Sequence, residues 1–245
     1  MKFGLIILVF ILSFHAKASD DTKVNVAITN IEGLLDEQSS GAYDVVLERI
    51  LEGQNNVSVM RGPILRIRRL FYGRKADCLF VGINHPEYYH YRNLPFDEVL
   101  ISASLKTIRL RLYTLPGVET IGDIEDLRGK AVAYASGVSS LEEFSRVFAS
   151  RDIETLRVEK NLQAFQMLEF GRVAAVAAYG LDIKELSRHL PDVAKYQHDP
   201  DFFASESEDV MACWRSPKTE AFVKHFNQKV ALLKETGELH EILNR

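Results

Sequence analysis

The chain has 245 residues, of which 47% are hydrophobic and 26% are charged. This composition is ordinary for a folded globular protein and excludes the disordered, collagen-like and disulfide-scaffold classes. There are 30 Lys and Arg residues against 34 Asp and Glu residues, a formal net charge of −4. Because basic residues are neither in excess nor arranged in a long run, the sequence predicts no nucleic-acid partner and no binding to an anionic membrane surface.

The N-terminal segment is typical of a secretory signal peptide. Lys2 is followed by an apolar run from Phe3 to Phe14, and small residues flank one position at Ala16–Ala18. The run is too short for a helix that crosses a bilayer core of about 30 Å. We therefore expect residues 1–18 to be a signal peptide and the mature chain to be periplasmic. No cysteine lies near the cleavage site, so no lipid anchor is expected.

The two cysteines, Cys78 and Cys213, lie in apolar runs that are typical of buried strands. Export makes a disulfide chemically possible. Two separate buried thiols are equally compatible with the sequence, so the pairing stays open at this point. Two cysteines without C-x-x-C spacing do not predict a zinc site.

The first part of the mature chain alternates strands and helices. The predicted elements are a strand at Lys23–Ile28, a helix at Tyr43–Leu51, a strand at Val57–Met60, a helix between Pro63 and Gly73, and a strand at Cys78–Val81. Such alternation indicates a parallel sheet with crossover helices. In the second helix, Ile64, Ile67, Leu70 and Phe71 form the apolar stripe, and we expect the cluster of Arg66, Arg68, Arg69, Arg74 and Lys75 to be a solvated face.

The alternation then restarts. The second set comprises strands at Ile108–Tyr113, Ala131–Ala135, Thr155–Val158 and Val173–Ala178, a short turn at Ile124–Gly129, and helices at Ser139–Phe148 and Leu162–Phe170. A further strand at Val210–Trp214 and a long helix after Pro217 follow, and Leu239–Leu243 closes the chain. Two α/β units in tandem place the carboxyl ends of their strands around one cleft, where a ligand would bind.

Several motifs recur in the order and spacing of one family. They are Gly41–Asp44, Gly73–Asp77, Ile124–Lys130, Ser136–Gly137, Leu168–Val173 and Leu233–Gly237. On these motifs, which together span the mature chain, the sequence resembles the periplasmic solute-binding proteins of family 3. This family includes the polar amino-acid receptors of ABC transporters.

The resemblance implies an α/β, two-lobed periplasmic binding protein-like fold of type II with two β-strand hinge crossings. Lobe 1 would comprise residues 19–102 and 209–245, and lobe 2 residues 103–208. The implied function is non-enzymatic: the lobes close on a small-molecule solute and present it to an ABC permease or a membrane sensor. We expect a monomer and no cofactor.

The charged anchors of the family are absent from their usual positions. The Arg that grips a ligand carboxylate in amino-acid binders falls at Tyr88 or Tyr89 here, and Arg92 is close enough to take its place. The Asp that pairs with the ligand ammonium falls at Tyr179, and Asp182 lies three residues further on as a partial substitute. We therefore expect a polar or aromatic solute that is held by means other than the usual ionic pair.

The expected contacts lie in the loops that face the cleft. They are Asn84, His85, Tyr88, Arg92, Ser136, Ser139 and Tyr179. His85 and His90 lack a third ligand at a matching spacing, so no metal site is predicted. Two alternatives stay open: an enzyme on the same fold, using Glu32, Glu87 or His85 as acid or base, and a ligand-free protein-interaction module.

Overall fold

The structure is a computed structural model, and it describes residues 22–244 except 32, 33, 37, 39, 40, 137–147 and 188. The predicted signal peptide and most of the predicted helix at 139–148 lie outside these residues. Within the described ranges, no helix is both long enough and apolar enough to cross a membrane.

The first β-α-β-α-β unit forms as predicted. The parallel strands β1 (Val24–Thr29), β2 (Val57–Gly62) and β3 (Cys78–Ile83) alternate with helices α1 (Ala42–Leu51) and α2 (Ile64–Tyr72), and β1 lies between the other two strands. The helices dock because their apolar residues recur at helical spacing and face the sheet, as Val46, Leu47 and Ile50 do in α1.

The chain then adds two short elements that the sequence did not predict. They are helix α3 (Pro86–His90) and strand β4 (Val99–Ile101), and a 3-10 turn at Phe96–Glu98 lies between them. A strand of three residues has too little alternation to be recognised from its sequence. It exists here because it pairs with a strand from the far end of the chain.

The second unit also follows the prediction. Strands β5 (Lys106–Tyr113), β6 (Ala131–Ala135), β7 (Glu154–Val158) and β8 (Ala175–Tyr179) are accompanied by helices α4 (Asn161–Glu169) and α5 (Gly180–Leu186). Strand β6 is parallel to β7 and β8, and β5 is antiparallel to β8. The turn expected at Ile124–Gly129 is a 3-10 helix at Ile124–Leu127.

Strand β9 (Ser205–Trp214) connects the two units. Its first residues pair with β5, and its last residues pair with β3 and β4, all antiparallel. Eight strands consequently form one hydrogen-bonded path, in the order β2-β1-β3-β9-β5-β8-β6-β7, and β4 joins the same sheet by pairing with β9. Helices α6 (Pro217–Glu235) and α7 (Glu238–Asn244) then pack against α1. The chain thus crosses between the units twice, in the β4–β5 segment and in β9.

The hydrophobic cores separate into two sets. Two clusters draw only on residues 24–105 and 211–243, and two others only on residues 108–204. Each set is the core of one lobe, so the predicted two-lobed architecture is observed. The lobe boundaries at 102/103 and 208/209 stay a prediction.

The cysteine pairing is decided by strand register. Cys78 on β3 lies directly opposite Cys213 on β9, and the two form a disulfide with a Cα–Cα distance of 4.0 Å. The bridge closes a loop with a sequence separation of 135. It therefore ties β3 of lobe 1 to the strand that returns from lobe 2.

Candidate functional site

A central cavity of about 70 Å³ lies between the lobes. It is bordered by the last residues of three strands, Thr29 of β1, Ala135 of β6 and Tyr179 of β8. This is the position expected for a ligand in open parallel sheets. The other lining residues are Ile31, Leu34, Tyr43, Ile64, Arg68, Val81 and Asp209 on the lobe 1 side, and Ile108, Asn161, Leu181 and Asp182 on the lobe 2 side.

An outer cleft of about 480 Å³ adjoins the central cavity. The two spaces share lining residues, among them Ile64, Asn161 and Asp182. The outer cleft is more polar at its margin, where Glu159 and Lys160 contribute to the lining. The central cavity therefore has a polar route towards solvent.

Arg68 is the one guanidinium that lines the central cavity in the described part of the chain. Its residue is 8% exposed, and its Cζ atom lies 5.8 Å from the centre of the Tyr88 ring. Within the described residues its side chain makes no hydrogen bond and no ion pair. The expectation that Arg68 belongs to a solvated face is therefore wrong, although Arg66 and Arg69 are exposed as predicted.

The burial of Arg68 has a signal in the sequence. Ile64, four residues before it, and Phe71, three residues after it, are at the spacings that place residues on one helix face. An arginine on the apolar face of a helix that packs against a sheet is covered by the sheet, so its side chain is buried. Its charge resembles that of its exposed neighbours Arg66 and Arg69, so Arg68 was not among the predicted contacts.

Asp209 is a buried carboxyl group at the point where β9 passes between the lobes. It is 6% exposed, and its strand neighbours are Ile83 on one side and Lys106 on the other. Burial raises the pKa of Asp209 to about 7, although the hydrogen bond from the Tyr43 hydroxyl and the charge of Lys106 act in the opposite direction. Asp209 was not among the predicted site residues.

Asp182 faces the cavity from lobe 2, in the first turn of α5. The backbone N–H of Tyr179 donates to its Oδ2 atom at 3.0 Å, which fixes the orientation of the carboxyl group. Burial raises the pKa of Asp182 to about 6, although hydrogen bonds from the Tyr179 N–H and the Asn161 side chain act in the opposite direction. Both carboxyl groups of the cavity therefore titrate close to neutral pH.

Two further polar atoms at the cavity lack partners in the described part of the chain. The hydroxyl oxygen of Thr29 and the side-chain oxygen of Asn161 are buried, and neither has a hydrogen bond. Buried polar atoms are nearly always hydrogen-bonded in proteins, because an unsatisfied one is costly. Together with Arg68, they provide unsatisfied donors and acceptors on both lobes around one enclosed space.

Of the seven predicted contacts, Tyr179 lines the central cavity and Ser136 lines the outer cleft. The Ser136 hydroxyl donates to the Val158 carbonyl at 2.9 Å, so it also links β6 to β7. Ser139 lies outside the described residues. Asn84 instead donates to the Glu208 carboxylate at 2.8 Å.

Tyr88, Arg92 and His85 are not among the residues that line the cavity. Tyr88 is 1% exposed within the core of lobe 1 and shares a hydrogen bond with the Tyr72 hydroxyl. The Arg92 guanidinium lies 3.9 Å from the centre of the Tyr88 ring, and His85 is exposed. As solute contacts they stay predictions. Among the described residues, no three His, Cys, Asp or Glu side chains are grouped closely enough to hold a metal ion.

Two lobes that are joined by crossing strands and that border one cavity with charged and polar side chains from both sides define the fold of the periplasmic solute-binding proteins. Solved structures agree. The GluR0 ligand-binding core from Nostoc punctiforme in complex with (L)-glutamate is 17% identical, with 89% of this chain and 96% of that chain covered and a TM-score of 0.69.

Two further neighbours extend the comparison. The substrate binding protein of an amino acid ABC transporter is 12% identical, covers 90% of this chain and 97% of its own, and has a TM-score of 0.65. The ancestral amino acid-binding protein AncCDT-1, a precursor of cyclohexadienyl dehydratase, is 17% identical, with coverages of 91% and 95% and a TM-score of 0.65.

No protein-family model and no curated protein matches the sequence. At these low identities the structural likeness shows the fold. It confirms the two-lobed fold that the resemblance implied, and the structural neighbours are solute-binding proteins of family 3, as expected.

Proposed function

We propose that the mature chain is a periplasmic solute-binding protein that closes on a small polar solute and presents the closed form to a membrane partner. One observation carries the proposal: unsatisfied polar groups from both lobes border a single enclosed cavity. A protein that binds nothing there would bear the cost of these groups without compensation.

Closure follows from where the polar groups lie. Arg68 and Thr29 belong to lobe 1, whereas Asn161 and Asp182 belong to lobe 2. A solute that contacts both sets is bound fully only when the lobes approach each other. Its binding energy therefore shifts the population towards the closed form, and the crossing strands act as the hinge.

The size of the cavity limits the solute. Each water-sized group in a cavity occupies about 10–15 Å³ of the cavity volume. The central cavity of about 70 Å³ therefore holds on the order of five to seven non-hydrogen atoms. A larger solute has to extend into the outer cleft or hold the lobes further apart.

The partner is inferred from the fold. One structural neighbour is a substrate binding protein of an amino acid ABC transporter. A monomer that changes shape on binding suits an ABC permease, and it equally suits a membrane sensor that recognises the closed form. Co-purification with the detergent-solubilised membrane fraction in the presence and absence of solute would identify which partner binds.

A thermal-shift screen tests solute binding. The purified mature chain is heated with amino acids, organic acids, small amines and sugars, and a true ligand raises the melting temperature in proportion to the logarithm of its concentration. We expect stabilisation by at least one class of small polar solute. A protein that no class stabilises, and that carries no small molecule in native mass spectrometry, would contradict the proposal and favour a protein-interaction module.

One observation supports an enzyme as the second candidate. The carboxyl groups of Asp182 and Asp209 border the cavity with pKa values of about 6 and about 7, which suits general acid–base catalysis. A structural neighbour is a precursor of a dehydratase. Conversion of a bound solute that is lost in both Asp182→Asn and Asp209→Asn would favour this alternative. Of the acids and bases predicted earlier, Glu87 and His85 are exposed, and Glu32 lies outside the described residues.

A further inference from the structure

We propose that Arg68 and Asp182 form a relocated pair of ionic anchors for a short zwitterionic solute. They would replace the anchors that are absent at Tyr88 or Tyr89 and at Tyr179. This inference rests on the proposed function and specifies how the solute is held. It also revises the expectation that the solute is bound without an ionic pair.

Arg68 is suited to a carboxylate. A guanidinium stays charged under all ordinary conditions, and burial of a charge without a partner is costly. Arg68 is more than nine-tenths buried and lines the cavity without an ion pair or hydrogen bond among the described residues. Its planar fork matches a carboxylate through two parallel hydrogen bonds. A ligand carboxylate would therefore provide the ionic partner that Arg68 lacks among the described residues.

The residue at the vacant arginine position supports this guanidinium. The ring of Tyr88 is contacted by Arg68 at 5.8 Å and by Arg92 at 3.9 Å, measured from each Cζ atom to the ring centre. The Tyr88 hydroxyl is itself held by Tyr72. The Tyr88 ring thus forms a fixed surface beside Arg68. The guanidinium at the cavity therefore comes from α2 and not from the loop after β3.

Asp182 is suited to the ammonium group. It lies on the opposite lobe, and the N–H of Tyr179 fixes one of its carboxyl oxygens at 3.0 Å. Tyr179, which occupies the usual aspartate position, therefore orients Asp182 through its backbone N–H. A solute that joins Arg68 to Asp182 places opposite charges across the cleft, so it binds best in the closed form.

The other groups that face the cavity are consistent with a zwitterion. Asp209 is the second carboxyl group, and Lys106 lies close enough to influence it. Thr29 and Asn161 add neutral hydrogen-bonding atoms. One guanidinium and two carboxyl groups favour a solute with a cationic group as well as an anionic one. A dicarboxylate would bring a second negative charge towards these acids.

The volume makes the solute short. Five to seven non-hydrogen atoms, on the order of what the central cavity holds, correspond to glycine, alanine, serine or β-alanine. Most of the remaining lining is apolar and includes Ile31, Leu34, Ile64 and Leu181. It would contact the carbon atoms of such a solute.

Isothermal titration calorimetry on the mature chain tests the inference with matched solutes. Glycine, alanine and β-alanine carry both charges, whereas glycinamide lacks the carboxylate, glycolate lacks the ammonium group, and glutamate and arginine are longer. We expect the short zwitterions to bind at least about 30-fold more tightly than glycinamide, because the loss of one partner leaves a buried charge unpaired. This comparison uses the unaltered protein, so it does not depend on how any variant folds.

Variants then assign the anchors. Arg68→Gln should weaken binding of the zwitterion at least about 30-fold, whereas Arg66→Gln, on the exposed side of the same helix, should change it less than about threefold. Asp182→Asn should weaken binding of glycine and leave binding of glycolate nearly unchanged. Circular dichroism melts establish that each variant is folded.

The possible failures are distinct. A protein that binds another class of solute, with an affinity that a folded Arg68→Gln variant retains, overturns the anchors and leaves the proposed function standing. Tighter binding of glutamate or arginine than of alanine overturns the limit on length. A protein that binds no solute in the broader thermal-shift screen overturns the proposed function itself.

Discussion

The buried carboxyl group of Asp209 makes the stability of the ligand-free protein depend on pH. Its pKa lies at about 7 in the folded chain, raised mainly by burial from an ordinary value of 3.8. The folded state therefore binds a proton more readily than the unfolded state does. We predict that Asp209→Asn, which removes the charge and keeps an oxygen to accept from Tyr43, stabilises the protein at neutral and alkaline pH.

The direction and size of the effect follow from linkage. Ionisation of the folded state is unfavourable, so the free energy of unfolding of the unaltered protein falls as the pH rises from about 4 through about 7. Each pH unit between the two pKa values corresponds to about 1.4 kcal/mol. The cost of the ionised group approaches about 4 kcal/mol above pH 7. Since the residue is 6% exposed, solvent screens little of it.

Urea unfolding between pH 4 and pH 8 measures the effect in ligand-free protein. We expect Asp209→Asn to be more stable than the unaltered protein at pH 8 by a few kcal/mol, on the order of 3–4, and the difference to vanish towards pH 4. Glu206→Gln is the control, because Glu206 lies on the same strand but is exposed and paired with Arg109. A variant whose stability differs from that of the parent by the same amount at every pH would refute the reasoning.

Three other properties of the chain are open to direct measurement. Replacement of both cysteines by alanine removes a cross-link over 135 residues, and chain-entropy arguments predict a loss of about 5 kcal/mol in denaturant unfolding under oxidising conditions; equal stability of the two proteins would show that the unfolded chain is already constrained. Gly41→Ala would place a Cβ atom 2.3 Å from the Leu34 carbonyl, whereas Gly180→Ala meets nothing within 4 Å. Chemical denaturation should therefore show a loss of about 1–3 kcal/mol for the first alone, and matched stabilities would disprove the close contact. Solute affinity should decrease below pH 6, because Asp182, with a pKa of about 6, becomes neutral and no longer attracts an ammonium group; calorimetry at pH 5 and pH 8 would detect this, and a flat profile would exclude Asp182 as an anchor.

The local elements were predictable because short-range patterns specify them. The strand at β1 shows β-branched alternation, and α2 begins after Pro63 and ends before Gly73, as helix-boundary residues require. Strand β9 was predicted only from Val210, because the polar residues before it carry no strand signal. They are extended because they pair with β5, which lies about a hundred residues earlier in the chain.

The candidate site was predictable only in part. Tyr179 and Ser136 follow strands whose carboxyl ends meet at the cleft, and that position can be read from the order of elements. Asp182 was found as a substitute for a missing acid. Arg68 carried a usable signal in its spacing from Ile64, whereas nothing adjacent to Asp209 distinguished it from other acids at the start of a strand.

The order and type of most helices and strands, and hence the two-lobed α/β class, are contained in the sequence, because periodicity, turn residues and helix ends act over a few residues. Tertiary structure alone decided the partner of Cys78, the place of Arg68 at the cavity between the lobes and the raised pKa of Asp209. Each of these depends on which distant segment lies opposite, and therefore on strand register and on the closeness of the two lobes. Charge, burial and unsatisfied hydrogen bonding are properties of that three-dimensional neighbourhood, so the chemistry of the cavity became visible only after the chain was folded.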